Sequence, residues 1–197
     1  MALDLSDAGP QTSRDPIPPG VYHLRARLKA GSAGSDFLLH PSKSSPLLGV
    51  SLECTVIGGE HAGRKVFDWI SAELDEDGMS ATVPQEKLTN WQTAVRMGRA
   101  KLAAIIDSAI GLRPDDRSEV AQARRRQFDS YDKFDGVCFY AQVEIRPARG
   151  QFQARNEIYF IVTPDLPDYP KQASGTSNLP TTPKRSLQDE MDDTIPF

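Results

Sequence analysis

A chain of 197 residues is long enough for one domain with tails or for two small domains. Hydrophobic residues at 39% and charged residues at 25% support a packed core of moderate size, and no apolar run approaches the ~20 residues needed to cross a bilayer. The formal charge of −4 equals the charge of 189–197, where Asp189, Glu190, Asp192 and Asp193 stand without a base. The rest of the chain balances to neutrality, which neither supports nor excludes a polyanionic ligand.

The opening segment, 1–19, is polar and carries Pro16, Pro18 and Pro19 near its end, so it reads as a flexible N-terminal segment. It lacks the basic start and apolar stretch of a secretory signal. Cys54 and Cys138 make no disulfide framework, and each lies in an apolar run. Both observations lead us to expect a cytoplasmic protein.

VYHLRARLK (21–29) alternates strictly: Tyr22, Leu24, Ala26 and Leu28 on one face, His23, Arg25, Arg27 and Lys29 on the other. This is the pattern of a half-buried strand with a cationic outer face. LLGVSLECTVI (47–57) alternates again, with Leu48, Val50, Leu52, Cys54 and Val56 in register. GGEHAG (58–63) is a turn, and RKVFDWI (64–70) completes a hairpin. A helix is expected over 90–110, where Trp91, Val95, Leu102, Ile105, Ile106 and Ala109 form an apolar stripe and Gly111 follows as a stop. Two last strands, GVCFYAQVEI (136–145) and NEIYFIVT (156–163), are joined across RPARGQFQAR, with Gly150 at the turn. Residues 164–188 hold five prolines among Ser, Thr, Gly and Asn, and lack the apolar surface to offset ordering entropy; they are expected to be a disordered linker.

The division is therefore a flexible segment (1–19), a folded domain (20–163), a linker (164–188) and an acidic tail (189–197). The element order β-β-β-α-β-β predicts a mainly β, α+β domain, an OB-fold-like five-stranded barrel with one helix after strand 3.

The chain ends in DEMDDTIPF. A terminal phenylalanine offers a ring and a carboxylate at one point, suited to a pocket with an apolar floor and a basic rim. Pro196 stiffens the approach, and the acids ahead of it favour encounter with a basic ridge. The linker of about 25 residues has an r.m.s. reach of roughly 25–30 Å, so barrel and tail can engage different things at once. Asp192, Asp193, Ile195, Pro196 and Phe197 resemble the C-terminal tail of bacterial single-stranded-DNA-binding proteins, although Thr194 stands where that family often has another acid. The resemblance implies recruitment of replication and repair enzymes such as helicases and exonucleases. In the body, PPGVY (18–22), LECTVIGGEHAGRKVFDW (52–69), the helix from Trp91 to Leu112 and RNEIYF (155–160) resemble single-strand-binding proteins of phages and mobile elements. That resemblance implies binding of single-stranded DNA without strong sequence preference, with no cofactor. Whether the protein is a homo-oligomer is left open.

Binding a single strand requires cations along a groove and exposed rings for the bases. Arg25, Arg27 and Lys29 meet the first need, in register and with no acid between them. Lys65, Phe67 and Trp69 share one face of their strand, but the alternation alone leaves open whether that face is wet; Lys65 and Trp69 are taken as candidates. Tyr140 and Tyr159 are expected to face out as stacking residues, while Phe139 belongs with Val137, Ala141, Val143 and Ile145 in the core. The loop 146–155 adds Arg146, Arg149, Phe152 and Arg155, an arginine and aromatic set without an acid. QARRRQFDSYDKF (122–134) has Arg124, Arg125 and Arg126 followed by Phe128, Tyr131 and Phe134, and reads either as a binding segment or as a surface loop anchored by its rings. Arg96, Arg99 and Lys101 read as ordinary exposed helix positions.

Catalysis finds little footing. His23, His40 and His61 are scattered, and no phosphate-cradling GxxxxGK[ST] motif occurs. A metal-dependent nuclease would need carboxylates such as Asp68, Glu144 and Glu157 to converge. A second alternative is an adaptor, whose tail captures enzymes while the barrel binds no DNA.

Overall fold

The computed structural model describes residues 15–34, 36–76, 79, 83–150 and 153–170. In chain order these form β1 (Gly20–Leu28), β2 (Leu39–Pro41), β3 (Leu47–Val56), β4 (Lys65–Leu74), α1 (Gln85–Ile110), α2 (Glu119–Arg125), a 3-10 turn (Tyr131–Phe134), β5 (Cys138–Arg146) and β6 (Arg155–Val162). All the pairings are antiparallel. β3 is the hub. One of its edges pairs with β1 through 52–56 and with β2 through 48–50, and its other edge carries β4. β1 passes the sheet on to β5, and β5 to β6. The result is a mainly β, α+β fold built on one six-stranded sheet.

The alternating patterns are realised. Leu24 and Ala26 of β1 are buried, as are Leu48, Val50, Leu52, Cys54 and Val56 of β3. Val66, Ile70 and Ala72 of β4 join them with Phe139, Ala141 and Val143 of β5. Burying each larger aliphatic or aromatic side chain contributes about 1.5–3 kcal/mol, so a one-residue slip of any strand would expose a whole core row. Burial also pushes the Cys54 thiol up to about 12, so it is an inert core residue.

α1 closes the sheet on one side through Leu102 and Ile105. It crosses β4 at Gly98, where a Cβ would lie 1.7 Å from the Ser71 carbonyl oxygen, so only glycine permits this approach. β4 and β6 lie side by side, with no ladder between them among the described residues. Lys101 bridges this seam: its Nζ lies 2.7 Å from Asp68 Oδ2 on β4 and donates to the Ile158 carbonyl on β6 at 3.0 Å. Arg99 likewise donates to the Ala72 carbonyl at 2.9 Å. Lys101 is thus a half-buried structural cation rather than the ordinary exposed position expected, whereas Arg99 is exposed as expected while its guanidinium also holds β4.

The expected count of five strands and one helix is corrected to six strands and two helices among the described residues. β2 has three residues and ends in a proline, too short for a period to register. α2 has seven and is held by a Ser118 cap that accepts from the Ala121 N–H. α1 starts at Gln85 rather than 90 because its first turns are largely exposed and carry no apolar stripe. Ile145 also departs from its assigned core row and is 39% exposed: β5 runs on past its last partner on β1, the pair Gly20–Val143, and loses its cover.

Both ends of the folded body reach further than composition suggested. Ile17, placed with the flexible segment, is 1% exposed, and its backbone exchanges two hydrogen bonds of 2.8 Å with the Asn156 side chain. Tyr169, placed with the linker, donates to the Ser108 carbonyl at 2.8 Å and meets the Tyr140 ring edge-on. Ile17 joins the hydrophobic core and Tyr169 docks through its hydroxyl and ring, contacts that local composition does not reveal.

Candidate functional site

Strand registry assembles the site. On the outer face, Arg27 of β1 lies opposite Glu53 of β3, which lies opposite Phe67 of β4. One pair along, Arg25, Thr55 and Lys65 form a second row. Ser51 lies opposite Trp69, and Lys29 follows the end of β1 beside Ser51, to which its N–H donates at 3.0 Å. Four cations and two aromatic rings thus share one surface, although β1 and β4 are separated by nearly forty residues in sequence.

Arg25 and Arg27 are exposed, and their side chains make no hydrogen bond or ion pair among the described residues. Lys29 Nζ sits 4.6 Å from the centroid of the Phe67 ring, a cation–π contact, and 3.9 Å from Glu53 Oε2. Lys65 Nζ lies 2.7 Å from Glu53 Oε1. The hydrogen bond from Lys65, together with the charges of Lys65, Lys29 and Arg27, holds the Glu53 carboxyl below its ordinary range against the opposing effect of partial burial.

Phe67 is 54% exposed and Trp69 39%. Because Val66 and Ile70 point into the core, the wet face of β4 is the one bearing both rings. Trp69 leans on Gly49 of β3, where a Cβ would lie 2.4 Å from its ring, so only glycine leaves room for the indole there. Phe67 was not among the sequence candidates. Its cue was present in the Lys65–Phe67–Trp69 alternation, but it needed the burial of Val66 to decide the side.

No family model and no curated protein matches this chain.

The remaining candidates lie elsewhere. Tyr140 faces out beside β1, but its ring is stacked on His23 at 4.5 Å and 17°. His23 is held below its ordinary pKa first by burial and then by Arg25, so it is neutral at pH 7 and adds no charge to the row. Arg146 and Arg155 face each other across the β5–β6 ladder, with Arg149 in the loop beyond. Arg146 is eight residues along β5 from Cys138, the partner of Arg25, or about 27 Å of strand. Arg146 also lies 3.6 Å from Glu157. Tyr159 is 63% exposed: a register shift between Gln142 and Val143 leaves it without a partner on β5, so it and Phe160 both turn out. The hairpin end is therefore a second cationic and aromatic patch, separate from the first. Phe152 lies outside the described residues, as do Asp192, Asp193, Ile195, Pro196 and Phe197.

Segment 122–134 proves to be anchored. Arg125 donates to Asp107 Oδ1 at 2.6 Å and to the carbonyls of Asp116 and Arg113, and Arg124 donates to the Ile110 carbonyl. Phe134 is buried, Phe128 packs on it, and Tyr131 donates to Glu73 Oε1 at 2.8 Å. Nor do the three carboxylates of the nuclease alternative meet. Asp68 turns to Lys101 at the seam, whereas Glu144 and Glu157 pair across β5 and β6.

Proposed function

We propose that this protein binds single-stranded DNA across the outer face of β1, β3 and β4, without strong sequence preference and without catalysis. The observation that carries the reading is the joint placement of Arg25, Arg27, Lys29 and Lys65 with the exposed rings of Phe67 and Trp69. Cations at strand spacing neutralise successive phosphates, and exposed rings stack on bases whatever their identity. The hairpin patch of Arg146, Arg149, Arg155 and Tyr159 extends the path of a longer strand. The strand order, with β5 beside β1 and β6 lying against β4, supports an OB-type barrel in which β2 is an addition and Lys101 bridges the last seam. In this reading the protein is cytoplasmic and acts during replication and recombination. Asp192, Asp193, Ile195, Pro196 and Phe197 capture replication and repair enzymes; the sequence of the tail alone supports that part.

The test is fluorescence anisotropy of labelled dT oligonucleotides against the full chain, and against a chain ending at Gln188, across a salt series. We expect salt-sensitive binding that persists without the tail. Absence of binding by both would leave the adaptor alternative, in which Phe197 is the main contact and the barrel touches no DNA.

A further inference from the structure

Glu53 is the one acidic side chain that the strand registry places among the cations of the β1–β3–β4 face in the described residues. Its side chain is 15% exposed and lies beneath the ammonium groups of Lys65 and Lys29, 2.7 and 3.9 Å from its two oxygens, with Arg27 opposite on the neighbouring strand. A carboxylate taking ammonium groups on both oxygens makes the contacts that a phosphate makes. We propose that Glu53 is a built-in counter-anion: it occupies a phosphate position on the empty face, and a nucleic-acid phosphate displaces it by drawing Lys29 and Lys65 away. This rests on the single-strand reading above and adds to it a residue that sets the affinity.

Three consequences follow. Lys29 and Lys65 share one carboxylate, so one of the four positive charges on the face is already offset before DNA arrives, and the unpaired Arg25 and Arg27 make first contact. Lys29 must leave Glu53 to follow a phosphate, and that movement uncovers the Phe67 ring beneath it for a base. The exchange also lowers the number of counterions that binding releases, because the protein supplies part of the neutralisation itself.

The experiment compares the full-length protein with Glu53→Gln by dT-oligonucleotide anisotropy over a salt series, with Glu53→Thr as a second variant suited to a strand position. The expected result is binding tighter by about 1.5- to 5-fold at low salt, the range of a partly exposed ion pair, with a log–log salt slope steeper by about 0.7 for the one carboxylate charge removed. A double-mutant cycle adds Lys65→Met, which should cost more affinity in the Glu53→Gln background than in the natural one. Unchanged or weaker binding by both Glu53 variants, with the natural protein still binding, would overturn the counter-anion role, make Glu53 a residue that positions its lysines, and leave the single-strand reading intact. If neither the natural protein nor any variant bound, the single-strand reading itself would fail and the counter-anion role with it.

Discussion

Segment 122–134 and the outer face of β1 and β4 are built from the same residue types, arginines interleaved with aromatic rings, yet they are put to opposite uses. In the segment, Arg124 and Arg125 are held by backbone carbonyls and the buried Asp107, and the rings point inward or dock on one another. On the strand face, Arg25 and Arg27 are left to water, Trp69 is exposed, and the exposed Phe67 ring carries only the Lys29 ammonium over it. An arginine marks a binding surface only when the fold leaves its donors unclaimed. A helix end with exposed carbonyls claims them readily, whereas a strand whose backbone is already paired on both edges offers them nothing.

Six substitutions test this contrast. Arg125→Ala should have the largest effect, a loss of about 3 kcal/mol in urea unfolding, because it strands the buried Asp107 carboxylate. Oligonucleotide affinity should hold at temperatures where the variant remains folded; a specific loss of binding would return the segment to the site. Phe67→Ala should invert that pattern, weakening binding by about 1–3 kcal/mol while moving stability by no more than about 0.5 kcal/mol. Arg25→Ala and Arg27→Ala should each flatten the log–log salt slope by about 0.7, nearly equally for all base sequences. The same change at Arg155 is expected to matter less for short oligonucleotides than for long ones, since the hairpin patch lies far along β5. If Arg155→Ala weakens short and long ones alike, the two patches form one site.

Tyr131→Phe should show the smallest effect. Loss of the hydrogen bond to Glu73 costs about 1 kcal/mol. Burial, the Glu73 hydrogen bond and the Glu73 charge raise the Tyr131 phenol above its ordinary value. A raised folded-state pKa favours the protonated form, so this contribution is complete below about pH 10 and is lost as pH climbs through the folded-state value. The natural protein should thus lose stability in the alkaline range, and the phenylalanine variant should lose less over the same interval. Equal alkaline slopes in thermal unfolding would show that the segment is not anchored through Tyr131.

Period and composition alone determined the mainly β body, the alternating core of β1 and β3, the central helix and the cationic face of β1. Each of these is a local pattern, repeated often enough for burial of its apolar side to decide the conformation. The tail motif is likewise wholly a matter of sequence. Only the tertiary structure decided which side of β4 is wet, because two apolar faces compete there and the contact of Val66 and Ile70 with the core settles it. The fold also brought Glu53 beneath one lysine just past β1 and another on β4, turned Lys101 into a bridge between β4 and β6, and set Ile17 and Tyr169 into the body. These are relations between residues far apart in the chain, and no local period records which strand will lie beside which.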